Sequence, residues 1–318
     1  MSSDPQFIAD LKLKIGHAHD AKVKTGVTVI LPDEPALCAV DVRGGGPGTR
    51  ETDTLALGGL VDRVHAIVLS GGSVYGLAAA DGVCRELGRK GIGFVAGPPP
   101  IPVSPIVPSA ILFDNANGGD KDWGGHPPYL ELGQKALGAV SHETGEGAVG
   151  AGYGATAGNY PGGFGVATER VNGVTVMAMI AANPVGSPFQ PGTRVPHAWI
   201  YERQSEFGSQ KPPVDYEWSE PQDTKLSRFA RAGQNTVIGA VATDAVLSPS
   251  DLKRVAIMAQ DGLAMSVQPS HTPLDGDTIF ALSVGNLSVQ GPAELSDLGS
   301  AAARAVARAL TRGVLAAA

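Results

Sequence analysis

Two β-rich runs, Phe164 to Val171 and Val174 to Ala182, are joined by Asn172-Gly173, and this is the feature that most restricts the fold. An Asn-Gly pair accepts the two positive φ angles of a type I′ turn, whose twist suits antiparallel strands, so the segment reads as a hairpin. Its second strand ends at Asn183-Pro184, where an asparagine either caps a turn or presents its amide at the end of a buried strand. Val27 to Leu31 and Ala36 to Val42, split by Pro32-Asp33-Glu34-Pro35, read as another hairpin. Val64 to Ser70 and Thr278 to Val284 read as buried strands. Helical spacing follows from Ser73 to Arg89 with Ser73 as its cap, from Tyr129 to His142, after the cap Ser248-Pro249-Ser250-Asp251, and from Glu294 to Arg312. Helices and strands in this order predict stacked sheets covered by helices on both outer faces.

Such layers need a large core, and 318 residues at 43% hydrophobic and 17% charged can bury one. A formal charge of −7 with no Lys/Arg cluster argues against nucleic acid and anionic lipid as partners, and a neutral small or polymeric substrate fits better. Cys38 and Cys84 both lie in apolar stretches, which favours buried free thiols over a disulfide or a metal site. The opening Met1 to Phe7 is unlike a signal peptide, and no apolar run reaches the length of a membrane span, so a cytoplasmic location is expected.

The junction Gly233-Gln234-Asn235-Thr236-Val237-Ile238 is where a long polar, Pro-rich segment from Pro184 turns into an apolar run. One reading is a loop entering a buried strand. The other is a chain that cuts itself between Asn235 and Thr236. A new N-terminal threonine carries its own base, because the α-amine can take the proton of its hydroxyl. Cleavage would also account for the length of the polar segment, since structureless connections of that size are uncommon in compact domains. Other motifs point less clearly to chemistry. The glycine-rich loop Arg43 to Asp53 lets backbone approach a ligand or another segment closely, yet lacks the lysine of a phosphate-binding loop. Gly71-Gly72-Ser73-Val74-Tyr75 has the place of a nucleophile elbow, but Tyr75 stands where a small residue is needed. Gly152-Tyr153-Gly154-Ala155-Thr156-Ala157 matches a dinucleotide pattern without the strand and helix that would make it work.

The chain resembles the DmpA family of self-processing aminopeptidases and amidases, peptidase family S58, over nearly its whole length. The resemblance rests on Thr25-Gly26-Val27-Thr28-Val29, on Asp41 to Gly45 with Pro47 to Asp53, on Val64 to Ser73, on Ile106-Val107-Pro108, and on Asp275-Gly276-Asp277-Thr278. It implies an α+β fold, a four-layer αββα sandwich formed as one domain. It also implies cleavage into an α chain, 1–235, and a β chain, 236–318, which stay together. The implied nucleophile is Thr236, the oxyanion-stabilising residue Asn183, and the acidic pair that orients the nucleophile Asp275 and Asp277. Asn159, Tyr153, Ser73 and Tyr75 are the candidates for substrate binding. Asn159 stands where the family usually places an active-site lysine.

An Asn-Thr cleavage site resembles the branch that hydrolyses nylon (6-aminohexanoate) oligomers. Aminopeptidase or amidase activity on amino-acid amides and peptides, including β-peptides, is the alternative, and acyl transfer of the ornithine acetyltransferase kind is a second. No cofactor or metal is implied. A homo-oligomer of αβ units is.

Overall fold

The computed structural model describes residues 5–227 and 235–318. Met1 to Asp4, part of the opening read above as unlike a signal peptide, and Gly233-Gln234 of the junction lie outside the described residues.

In chain order the helices are α1 (Pro5–Asp10), α2 (Ala78–Arg89), α3 (Tyr129–Gly138), α4 (Pro249–Ala259), α5 (Asp261–Ala264) and α6 (Gly291–Ala317). The strands are β1 (Leu13–Asp20), β2 (Thr25–Pro32), β3 (Ala36–Val42), β4 (Thr49–Arg50), β5 (Arg63–Val64), β6 (Ile67–Ser70), β7 (Ser109–Ile111), β8 (Thr156–Ala157), β9 (Tyr160–Pro161), β10 (Gly163–Val171), β11 (Val174–Asn183), β12 (Thr236–Val246) and β13 (Thr278–Ser288). One sheet runs β1-β2-β6-β7-β4 and the other β10-β11-β12-β13-β3-β5.

Burial divides into three layers of side chains, as the αββα arrangement requires. Val27, Val29 and Val68 on one sheet pack against Ala79, Val83 and Leu132 of α2 and α3. Ile15, Ile30 and Leu69 meet Met177, Met179, Ile238, Ala240 and Phe280 between the sheets. Val176, Ile180, Val241 and Ile279 turn the other way, onto Leu252, Val255, Val306 and Leu310 of α4 and α6. β11 is buried along its whole length because helices cover one face and a sheet the other.

The Asn172-Gly173 hairpin forms as read, with φ of 51° and 82° at its two central residues. Ser248 caps α4 by accepting from the Asp251 amide at 3.1 Å. Four expectations are corrected. β2 and β3 do not pair with each other: Pro32 to Pro35 carries the chain from one sheet to the other, so each strand finds non-local partners. Val64 to Ser70 likewise divides at His65-Ala66, giving β5 to one sheet and β6 to the other. Ser73 does not cap a helix; it has φ of 53° and opens a 3-10 turn, Ser73–Leu77, ahead of α2.

The polar segment after Pro184 is also not a free excursion over its first half. Val185, Ser187, Phe189, Ala198 and Phe207 are buried, and Glu206 pairs with Arg308 at 3.0 Å and Arg312 at 3.2 Å on α6. No helix of the described residues is long and apolar enough to cross a membrane.

Candidate active site

The site forms where β11 ends and β12 and β13 begin, against the loop that follows β7. Asn183 and Thr236 are register partners on neighbouring antiparallel strands. Met177, Met179 and Ala181 on one strand and Ile238, Ala240 and Ala242 on the other face the space between the sheets. By the two-residue period of a strand, Asn183 and Thr236 face it too. Both are buried, as are Asn235, Asp275 and Asp277.

Thr236 Oγ1 lies against the Asn235 carbonyl oxygen, and the Gly276 amide donates to both atoms at 3.1 Å. Gly276 can come this close only without a side chain, for an added Cβ would sit 2.8 Å from Thr236 Oγ1 and 2.6 Å from the Gly46 oxygen. The glycine-rich loop explains the rest of the placement. Gly46 donates to the Asp275 carbonyl at 2.8 Å and Arg43 to the Asp277 carbonyl at 2.9 Å, and a Cβ on Gly44 would fall 2.1 Å from the Asp275 oxygen. Of the two uses open to that loop, the structure shows close approach to another chain segment.

The two aspartates hold backbone rather than each other. Asp275 accepts from the Val185 amide at 3.0 Å, and from the Thr272 amide at 3.0 Å and hydroxyl at 2.6 Å. Burial, then the charge of Asp277, raises its pKa. Asp277 accepts from the Val237 amide at 2.8 Å, pinning the residue after the nucleophile candidate. Its other oxygen takes His271 Nδ1 at 2.8 Å. Burial pulls the His271 pKa down, but the hydrogen bond and charge of Asp277 outweigh it and leave the pKa raised.

Asn183 Oδ1 accepts from the Thr156 amide at 2.9 Å and from Lys225 Nζ at 3.1 Å, while Nδ2 donates to the Phe113 carbonyl at 2.9 Å. One N–H of that amide remains for another acceptor. Lys225 Nζ also donates to the Asn183 backbone oxygen at 3.2 Å. Burial brings the Lys225 pKa down to about 7, although the Asp275 charge works against the fall.

A cavity of about 50 Å³ adjoins these groups, lined in part by Phe113, Asp114, Asn117, Thr156, Lys225 and Asn235. With Asn235 in its wall it has room for little more than water.

Thr236, Asn183, Asn235, Asp275 and Asp277 are therefore brought together. The substrate-binding candidates are not among the residues lining this cavity. Asn159 is exposed and reaches the region through its amide, which donates to the Asp223 carbonyl at 2.8 Å. Tyr153 stacks on His19 at 4.2 Å, beside the cavity residue Gly154, and Tyr75 packs edge-on against Trp123 at 5.4 Å. Ser73 lies in the turn after β6, its amide donating to the Leu112 carbonyl at 3.0 Å. Three participants were missed in the sequence: Gly276 as a backbone donor, His271, and Lys225. His271 stood six residues from Asp277 in a loop already noted, but no local pattern marks Lys225. Among the described residues no group of His, Cys, Asp and Glu is arranged to hold a metal ion.

The family model described as Peptidase family S58 matches residues 7–318. An uncharacterized aminopeptidase of Mycobacterium tuberculosis is 42% identical over 304 residues, spanning 91% of this chain and 85% of that protein. A 6-aminohexanoate-oligomer endohydrolase of Kocuria sp. is 31% identical over 295 residues, spanning 87% and 74%. Among solved structures, a Burkholderia sp. beta-aminopeptidase matches with a TM-score of 0.69 at 21% identity, covering 96% of this chain and 84% of that one. An L-aminopeptidase D-Ala-esterase/amidase from Ochrobactrum anthropi, described as a variant of the Ntn hydrolase fold, matches with a TM-score of 0.65 at 20% identity and the same coverage. At those identities the two structures speak for the fold.

Proposed function

The chain belongs to peptidase family S58 and is a hydrolase of amide bonds, and on that premise we propose that it activates itself by cutting between Asn235 and Thr236 and then uses Thr236 as an N-terminal nucleophile. The observation that carries this reading is the Gly276 N–H, which donates at 3.1 Å to the Asn235 carbonyl oxygen and at 3.1 Å to Thr236 Oγ1, at the peptide to be cut. Attack by Oγ1 forms an ester and breaks the peptide C–N bond, the hydroxyl proton passing to the departing nitrogen. Water then hydrolyses the ester and leaves a free α-amine on Thr236. The Gly276 amide lies where negative charge develops on the carbonyl oxygen, a type of contact worth about 100- to 1000-fold in rate.

In the mature enzyme the α-amine serves as base, its ordinary pKa of about 7.7 to 8.0 being near neutrality. The substrate carbonyl acylates Thr236, and the spare N–H of Asn183 stabilises the oxyanion. Asp277 fixes the backbone of Val237 and Asp275 the loop that carries Gly276, which keeps nucleophile and donor in register. The proposed substrates are linear amides such as 6-aminohexanoate oligomers, a reading supported by the 31% identical endohydrolase. The proposed assembly is a homo-oligomer of αβ units.

One observation favours a second reading, release of residues from a free amino end. Asp114 lines the cavity, accepts from the Gly72 amide at 2.8 Å through Oδ1, and has an Oδ2 that meets the geometry of no hydrogen bond among the described residues, with the Thr25 side chain its nearest donor. Burial raises its pKa, and a substrate ammonium beside it would restore the charged form.

Denaturing electrophoresis with N-terminal sequencing tests the proposal. We expect fragments of 235 and 83 residues, the smaller beginning Thr236-Val237-Ile238, and Thr236→Ala should abolish both cutting and hydrolysis. A chain that stays whole on long incubation, or a Thr236→Ala protein that still hydrolyses, overturns it. Internal products from 6-aminohexanoate oligomers, against single residues freed from amino-acid amides, separate the two substrate readings.

A further inference from the structure

Lys225 is buried ten residues before the end of the proposed α chain, in the polar segment that precedes the cut. Its ammonium group has donors only. Among the described residues both oxygens it reaches belong to Asn183, the side-chain Oδ1 at 3.1 Å and the backbone oxygen at 3.2 Å. Neither bond is to a carboxylate: the amine is buried on neutral acceptors, which cannot offset the loss of water around a full charge.

Its effect on Asn183 follows from donor and acceptor chemistry. With Lys225 and the Thr156 amide both donating, only Oδ1 can face them, and Nδ2 must turn to the Phe113 carbonyl and the neighbouring space. Lys225 thus joins the Thr156 amide and the Phe113 carbonyl in holding the amide against a flip. The segment is also anchored independently of the peptide to be cut: the Lys225 amide donates to the Val185 carbonyl at 3.0 Å, the Asn159 amide to the Asp223 carbonyl at 2.8 Å, and Ser187 Oγ to Asp223 Oδ2 at 2.8 Å.

We propose that Lys225 is a positioning residue of the mature site: by donating to Oδ1 and to the backbone oxygen of Asn183 it holds the amide with an N–H available to the oxyanion. The stretch upstream of the cut is then not a discarded linker but part of the working enzyme, retained through residues 223–225. This inference rests on the reading of Asn183 and Thr236 given above.

The test compares Lys225→Met and Lys225→Arg with the wild type, each first sequenced for cleavage before Thr236 and checked by thermal melting. The substrate is whichever of a 6-aminohexanoate oligomer or an amino-acid amide the wild type turns over faster. Lys225→Met is expected to lower kcat by about 10- to 100-fold, below the loss of a direct oxyanion donor, with KM within about 3-fold of the wild type, and Lys225→Arg to recover most of the loss. Where the Met protein does not fold, Lys225→Gln replaces it, with a smaller expected loss of about 3- to 10-fold because its shorter amide keeps a donor. Unchanged kcat in the uncharged variant overturns the inference, as does an equal loss in Lys225→Arg. A wild type that neither cuts nor hydrolyses overturns the parent reading instead, so the two failures are told apart.

Discussion

At the scale of single residues, the site depends on a glycine as much as on its polar side chains. Gly276 delivers its N–H to the Asn235 carbonyl and the Thr236 hydroxyl together, and a methyl group there would press on Thr236 Oγ1, on the Gly46 oxygen at 2.6 Å and on Pro47 Cα at 3.0 Å. We expect Gly276→Ala to slow processing by about 100-fold or more, the cost of displacing one oxyanion donor. A time course of the uncut band on denaturing gels measures it, and cleavage at the wild-type rate would remove Gly276 from the mechanism. In the sequence Asp275-Gly276-Asp277 stands as a unit whose visible chemistry is the charge of its two acids. What they do in the fold is grip the amides of Val185, Thr272 and Val237.

At the scale of elements, β1 carries a second consequence of burial. His17 sits where β1 faces the other sheet, with Nδ1 3.0 Å from the Thr28 hydroxyl, Nε2 2.8 Å from the Thr144 hydroxyl and its ring edge-on to Phe164. Burial, with the charge of His19 adding to it, lowers its pKa to about 4 from 6.5. The fold therefore holds neutral imidazole. Above pH 6.5 the contribution is fully present; as pH falls from 6.5 through about 4 the unfolded chain takes up the proton first and stability is lost. The difference is on the order of 3 kcal/mol. In urea unfolding, wild type should exceed His17→Gln most at pH 7, with the gap closing toward pH 4. A gap that does not change with pH would show that the imidazole acts by packing alone.

At the scale of the whole molecule, the proposed cut falls at the edge of a central strand. β12 pairs with β11 on one side and β13 on the other, and Ile238, Val241, Ile279, Phe280 and Leu310 from the shorter fragment are buried in two of the three core layers. Each such side chain stabilises by about 1.5–3 kcal/mol when fully buried, so breaking one peptide leaves the layers intact. Fragments that separate on denaturing gels should co-elute in size-exclusion chromatography without denaturant, and separate elution there would mean that cleavage loosens the sandwich.

The sequence by itself determined what depends on neighbours along the chain: the Asn172-Gly173 turn, the Ser248 cap, the helical periods, and the abrupt edge at Asn235-Thr236. Local steric and hydrogen-bonding preferences write those signals directly into residue types. Only the tertiary structure decided that β2 and β3 belong to different sheets, because alternation records which face of a strand is buried and not which partner lies beside it. It also decided that part of the Pro-rich segment packs and delivers Lys225 to Asn183, and that Gly276 offers its amide to Thr236. A backbone N–H has no side-chain signature, and a lysine in a polar stretch looks like any solvated one until distant strands close around it.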